Sequence, residues 1–206
     1  MPTALSPVRI ADDAFELEVA GANEAQTLAS ALRDGGLAED VVAGLNRVTV
    51  QFDPEKASEV YDWLKKLDWQ TCSMPQDSEC LEIEIQYGGP SGPDFNNVCE
   101  ALQLSQSAFI KMHTSFAHRV DMIGFTPGFA YISGVPNNWD IPRLGSPRPR
   151  VSAGSVGLTG GYTGIYSLAG PGGWPLIGHT SADLFKTDRE NPFLIKPAQT
   201  LKFRAV

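Results

Sequence analysis

The sequence has little that would tie it to a membrane, to nucleic acid or to a disulfide scaffold. No run approaches the ~20 consecutive apolar residues that a membrane-spanning helix needs. The opening residues, Met1-Pro2-Thr3-Ala4-Leu5-Ser6, have neither the basic start nor the apolar core of a signal peptide, so the expected location is the cytoplasm. Three cysteines, Cys72, Cys80 and Cys99, are an odd number without a Cys-x-x-Cys pair, which speaks against a disulfide framework. Only three histidines accompany these scattered thiols, and no zinc ligand set is recognisable. Two of them, His113 and His118, would stand ~140° apart on one helix and so make no metal pair there. A Gly-Lys-Ser/Thr phosphate loop and a Rossmann glycine fingerprint are both missing, and Ser155 lacks the elbow motif of a Ser-His-Asp hydrolase.

What is present describes an ordinary globular chain. Apolar residues make up 42% and charged residues 19% of the 206. That length suits one large or two small domains and buries about 70% of the unfolded chain's surface, so no staples are required. The net charge of −8 argues against nucleic acid as a partner. The distribution says more than the total. Residues 1–140 hold 8 basic against 21 acidic side chains, a balance of −13, whereas residues 141–206 hold 8 against 3, a balance of +5. No acidic residue occurs in 141–182, and Arg143, Arg148 and Arg150 lie near its start. An electropositive surface in an acidic protein suits a small anion, unless those arginines pair with carboxylates elsewhere in the fold.

The pattern along the chain predicts an α+β protein in two parts: a small N-terminal α/β domain over 1–78 and a β-rich domain over 79–206. Residues 8–19 read as two strands broken at Asp12-Asp13. Ala25, Leu28, Ala29 and Leu32 form one helical stripe that Gly35-Gly36 ends. Val48, Val50 and Phe52 alternate as in a half-buried strand. Asp53-Pro54 starts a second helix whose buried stripe is expected to be Val60, Tyr61, Leu64 and Leu67. The polar run 71–79 is the boundary. Beyond it, Leu81, Ile83, Ile85 and Tyr87 alternate as a strand. Two short helices follow, one carrying Phe95, Val98 and Leu102, the other carrying Phe109, Met112, His113 and Phe116 after Ser105 as cap. Residues 119–125 read as a strand. The remainder has short apolar runs with frequent Gly and Pro, the texture of a closed or sandwiched β structure, and Leu201 and Phe203 mark a last strand.

The chemistry-bearing motifs lie in that second part. They run from Met122-Ile123-Gly124-Phe125-Thr126-Pro127-Gly128-Phe129-Ala130-Tyr131 through Ser146-Pro147-Arg148 to Ala153-Gly154-Ser155-Val156-Gly157. Thr163-Gly164-Ile165-Tyr166, Pro171-Gly172-Gly173-Trp174 and Leu176-Ile177-Gly178-His179-Thr180 complete the order. With Tyr87-Gly88-Gly89, Gly92-Pro93-Asp94 and His113 upstream, this string resembles the family of allophanate hydrolase subunit 1 and the B-type subunit of 5-oxoprolinase, which also includes a sporulation-kinase inhibitor. It is similar, too, to part of the carboxyltransferase region of urea carboxylase. The resemblance implies a cyclophilin-like β-barrel behind a small α/β domain, and pairing with a homologous larger subunit and a lactam-utilisation protein. It implies that the complex uses ATP to open 5-oxo-L-proline to L-glutamate. A urea-linked allophanate hydrolase subunit and a non-catalytic kinase inhibitor are the alternatives.

Within that frame the residues have readable roles. Opening a lactam against equilibrium requires clamped anions and a proton-transfer group. Arg148 and Arg150 supply forked donors matched to carboxylate or phosphate. His113 is the candidate for proton transfer, and Ser155 is a hydroxyl donor on glycine-flanked backbone. Gly154 and Thr163 offer contacts to an oxyanion, Trp174 a pocket wall, and His179 a pocket edge. A satisfied core histidine and a packed core tryptophan are the plain readings of His113 and Trp174. Three positions depart from what the family leads one to expect: Tyr162 in place of glutamine, His179 in place of arginine, and Ser152 in place of proline. No metal ligands are expected in this chain.

Overall fold

The computed structural model describes residues 5–72 and 80–206. They fall into two compact units, Met1–Gln76 and Asp77–Val206. Most of the boundary run expected at 71–79 lies outside the described residues, as do residues 1–4 of the N-terminus. No helix among the described residues is long and apolar enough to cross a membrane.

The first unit is a four-stranded antiparallel sheet with two helices. Its strands are β1 (Val8–Ala11), β2 (Ala14–Glu18), β3 (Asp40–Ala43) and β4 (Arg47–Gln51), ordered β1-β2-β4-β3. Helix α1 (Ala22–Asp34) lies between β2 and β3, and α2 (Ala57–Lys66) follows β4. The predicted stripe of α1 is fully used: Ala25, Leu28, Ala29 and Leu32 are all inaccessible to solvent. They join Leu17, Val48, Val50 and Phe52 from the sheet, and each fully buried leucine contributes about 1.5–3 kcal/mol. Asp53 caps the turn before α2, its Oδ1 accepting from the Glu55 amide at 3.0 Å. Val60 and Leu64 bury as expected, but Tyr61 does not: it is 40% exposed, with its ring tilted against Phe15. Strand β3 had no signal of its own, because its four residues present one buried valine, Val41, beside an exposed one, Val42.

The second unit is a closed seven-stranded barrel. Its strands are β5 (Leu81–Tyr87), β6 (His118–Ile123), β7 (Ala130–Ser133), β9 (Ser155–Thr159), β10 (Tyr162–Ile165), β12 (Leu176–His179) and β13 (Thr200–Ala205). They close in the order β10-β7-β6-β13-β5-β12-β9. All described neighbours are antiparallel except β13 and β5, which run parallel with Phe203 beside Ile83. A separate two-stranded ribbon pairs β8 (Arg148–Val151) with β11 (Gly170–Gly172). Helices α3 (Phe95–Ala101) and α4 (Gln106–Ser115) precede β6, and Ser105 caps α4 by accepting from the Ala108 amide. Phe95 and Phe109 meet edge to face at 5.2 Å and join Ile83, Val120, Ile132 and Leu158 in the barrel core. The chain is therefore α+β with a closed barrel, as the sequence led one to expect. The strand expected over 119–125 stops at Ile123: Phe125 has left the sheet, with φ +71° and its side chain exposed.

Candidate functional site

The ribbon β8–β11 carries the site. In a strand, residues two apart share a face, which sets Arg148 and Arg150 side by side. They line a cavity of about 490 Å³ together with Ser152, Ser155, Leu176 and His179. The loop before α3 closes it with Pro90, Ser91 and Pro93. None of these described lining residues is acidic, so the cavity is cationic at neutral pH.

The acid that belongs to it stands behind the arginine. Asp94 accepts from Arg148 Nη2 at 2.7 Å through Oδ1, and from the Leu176 amide at 2.7 Å through Oδ2. Holding one guanidinium nitrogen fixes the plane of the group and directs the rest of the fork. Arg148 Nη1 is buried and has no hydrogen-bond partner among the described residues. A buried donor without an acceptor costs about 1–3 kcal/mol.

Gly154 sets the opposite edge. Its φ of +83° is the left-handed conformation that glycine adopts without penalty. A Cβ there would meet the Thr180 carbonyl oxygen at 2.3 Å and His179 Nε2 at 2.6 Å. Close packing of this bend lets the Thr180 amide reach the Gly154 carbonyl at 2.8 Å. It also lets His179 Nε2 donate to the Ala153 carbonyl at 2.9 Å. A carbonyl only accepts, so the Nε2 proton is fixed and the neutral ring keeps Nδ1 as an acceptor.

Not all predicted residues gather here. Arg148, Arg150, Ser155 and His179 line one cavity and Gly154 shapes its edge, but His113, Thr163 and Trp174 lie elsewhere. His113 is wholly buried in the barrel. Its Nδ1 bonds the Tyr87 hydroxyl at 2.7 Å and its Nε2 the Thr163 hydroxyl at 2.8 Å. Tyr87 is on β5 and Thr163 on β10, on well-separated parts of the ring of strands, so α4 drives this imidazole across the barrel interior. Phe203 stacks on it at 4.8 Å. Burial holds the His113 pKa well below the ordinary value, with a further push from His118. The two histidines do not share a helix. α4 ends at Ser115 and His118 opens β6, which brings the rings to 5.0 Å. His118 faces two carbonyls, those of His113 at 2.7 Å and Ser133 at 3.3 Å. Both favour its protonated form, but burial outweighs them and lowers its pKa as well. Burial likewise pushes the Tyr87 phenol up. No group of three or more His, Cys, Asp or Glu gathers among the described residues.

Two residues of this site carried no recognised role in the sequence. Asp94 stood in the Gly92-Pro93-Asp94 motif, whose aspartate before a helix reads equally as a cap; its bonds reach Arg148 and Leu176, 54 and 82 residues away. Ser152 stood out only as a departure from the family. With His179 it is one of two such departures that line the same cavity, whereas Tyr162 faces Asp121 instead.

Comparison with known proteins agrees with this architecture. The family model described as "Carboxyltransferase domain, subdomain C and D" matches residues 8–195. The B-type subunit of 5-oxoprolinase from Escherichia coli O157:H7 is 38% identical over 178 residues, covering 85% of this chain and 82% of that protein. Among solved structures, TTHA0988 superposes with a TM-score of 0.81 at 30% identity over 94% of this chain. This chain spans only 40% of that longer protein. The Kluyveromyces lactis urea amidolyase superposes over 98% of this chain with a TM-score of 0.72 at 13% identity, a likeness of fold alone. With a family match across most of its length and a relative of this identity and coverage, the chain belongs to the carboxyltransferase-domain family, subdomain C and D, alongside the B-type subunit of 5-oxoprolinase.

Proposed function

We propose that this chain is a subunit of a 5-oxoprolinase complex that opens 5-oxo-L-proline to L-glutamate at the expense of ATP, and that its share of the active site is the arginine-lined cavity. The relatives' name supports the activity. The observation that carries the site is the convergence of Arg148, Arg150, Ser155 and His179 on a cavity with no acidic lining. In the reaction the ring C–N bond breaks, water oxygen bonds to the carbonyl carbon, and the ring nitrogen takes a proton. When bound, ATP would supply the phosphoryl group that makes the lactam carbonyl reactive, leaving as ADP, and a second water would release that group as inorganic phosphate. Every species on that path is an anion, and two adjacent guanidinium groups match its oxygens.

The roles follow from the geometry. Arg148, anchored by Asp94, and Arg150 on the same strand face bring their guanidinium groups to the cavity. His179 Nδ1 is the acceptor at the cavity edge and the better candidate for moving a proton. His113 has no solvent contact and both nitrogens engaged, so it positions Tyr87 and Thr163 within the barrel. A larger homologous subunit and a lactam-utilisation protein complete the complex, and its use of ATP suits the cytoplasm.

The test is co-expression with those partners, followed by measurement of ATP-dependent glutamate release from 5-oxoproline. Arg148→Ala should lower turnover at least tenfold, in line with the loss of a charge-assisted bond of about 1.5–3 kcal/mol. Arg150→Ala, at an exposed position, should do so without a change in thermal midpoint. Unchanged kcat and KM in both variants would remove the assignment.

A further inference from the structure

The barrel carries a second, smaller concavity that the proposed reaction leaves without a role. Its floor exists because two side chains are missing. Gly157 on β9 and Gly164 on β10 are cross-strand partners. A Cβ at Gly157 would stand 2.9 Å from the Trp174 Cβ, and one at Gly164 would stand 2.6 Å from the indole ring. Bare backbone therefore lets Trp174 lie against the outside of the barrel. Phe129 and Tyr131 meet the indole edge to face, each at 5.6 Å, and Tyr166 meets Phe129 in the same way at 5.1 Å. Such contacts fix ring orientations; Phe129, Tyr166 and Trp174 are at most 5% exposed, so the surface open to a ligand is that of Tyr131 and Phe125.

These rings enclose about 220 Å³. Drug-sized ligands occupy roughly 300–1,000 Å³, so the space suits a single ring. Two residues stand at the mouth. Arg143 lines it, and no described lining residue is acidic. Phe125 also lines it, 62% exposed and held at φ +71°. A left-handed phenylalanine costs about 1–2 kcal/mol, and this one buries little of its ring in return.

The two cavities share a wall. Pro147 lines the aromatic one, and Arg148, the next residue, lines the cationic one. The Tyr166 hydroxyl, on the aromatic side, bonds the Trp174 backbone and lies within the field of both Arg143 and Arg148.

We propose that the aromatic concavity binds a small flat ring bearing a carboxylate, with Tyr131 and Phe125 against the ring and Arg143 on the carboxylate. This assignment rests on the functional reading above for its ligand: the ring is the lactam of the substrate.

The test uses the full chain and two probes, pyrrole-2-carboxylate and 5-oxo-L-proline, followed by NMR. Saturable shifts are expected at the Gly172 and Gly173 amides and the Trp174 indole N–H. Arg143→Ala should weaken pyrrole-2-carboxylate at least tenfold, Arg143→Lys should recover part of the loss, and Arg148→Ala should change affinity less than threefold. The neutral pyrrole-2-carboxamide should bind at least tenfold more weakly. Absence of saturable shifts at about 10 mM probe, or an equal loss in Arg148→Ala, overturns the site. Binding of pyrrole-2-carboxylate without binding of 5-oxo-L-proline overturns its assignment to the lactam. A reconstituted complex that releases no glutamate overturns the activity instead, and leaves the binding result to decide the site.

Discussion

The Asp94–Arg148 pair gives the sharpest test of the site, because one carboxylate serves two partners across the fold. Asp94→Ala removes the acceptor of Arg148 Nη2 and that of the Leu176 amide, both at 2.7 Å. An orphaned buried amide costs about 1–3 kcal/mol. Breaking a buried ion pair costs about 3–5 kcal/mol. Here the lower end applies, since the arginine side chain is 30% exposed and can turn to water while the aspartate is 13% exposed. The two terms overlap, and a loss of about 3 kcal/mol is expected. For a unit of this size each kcal/mol moves the thermal midpoint by about 4 °C, so the barrel's transition should fall by ~10 °C in calorimetry. Asp94→Asn keeps one oxygen for the Leu176 amide but turns an NH2 donor toward Arg148 Nη2, losing that bond with the charge, for about 1.5–3 kcal/mol. Arg148→Ala should cost less than Asp94→Ala, because the carboxylate retains its second bond. The double variant should show a coupling of about 1–2 kcal/mol. In the reconstituted complex Asp94→Ala should lower kcat along with Arg148→Ala. A coupling below about 0.5 kcal/mol would refute the claim that Asp94 sets the arginine.

The remaining predictions concern the buried histidines and the cavity edge. His113 and His118 have pKa values lowered by burial, so the unfolded chain binds more protons than the folded one below the unfolded value of about 6.5. Stability is therefore complete above that pH and is lost as pH falls toward the folded values, by up to ~1.4 kcal/mol per pH unit for each histidine; denaturant melts between pH 7 and 5 should steepen accordingly, and a flat profile would refute it. Gly154→Ala should displace His179 and impose a left-handed alanine, costing about 2 kcal/mol or more and reducing turnover, as read by thermal melts and by glutamate release.

Much of the fold was legible in the sequence because it depends on local periodicity. Leu28 and Leu32 recur at helical spacing, and Ile83 and Ile85 alternate as in a strand; both pairs are buried where those periods place them. Asp53 and Ser105 cap through neighbouring amides, interactions that a short stretch of sequence contains entirely. The short strand β3 and the exposure of Tyr61 were not legible, because four residues carry no period and a stripe's edge is set by what packs over it. No strand was legible at Arg148–Val151, so the placing of Arg148 and Arg150 on one face came from the structure. The choice between anion clamp and ion pair was not legible either, since Asp94 arrives from 54 residues away.

By itself the sequence determined that an acid-free, glycine-rich stretch with clustered arginines follows an acidic α/β segment. Only the tertiary structure decided which candidates meet. Closing the barrel carries His113 into an interior where both ring nitrogens are taken. The same closure leaves Arg148, Arg150, Ser155 and His179 around one cavity outside it. The physical reason is that a closed ring of strands assigns every neighbouring side chain to its inside or its outside, and that assignment depends on register between segments far apart in the chain.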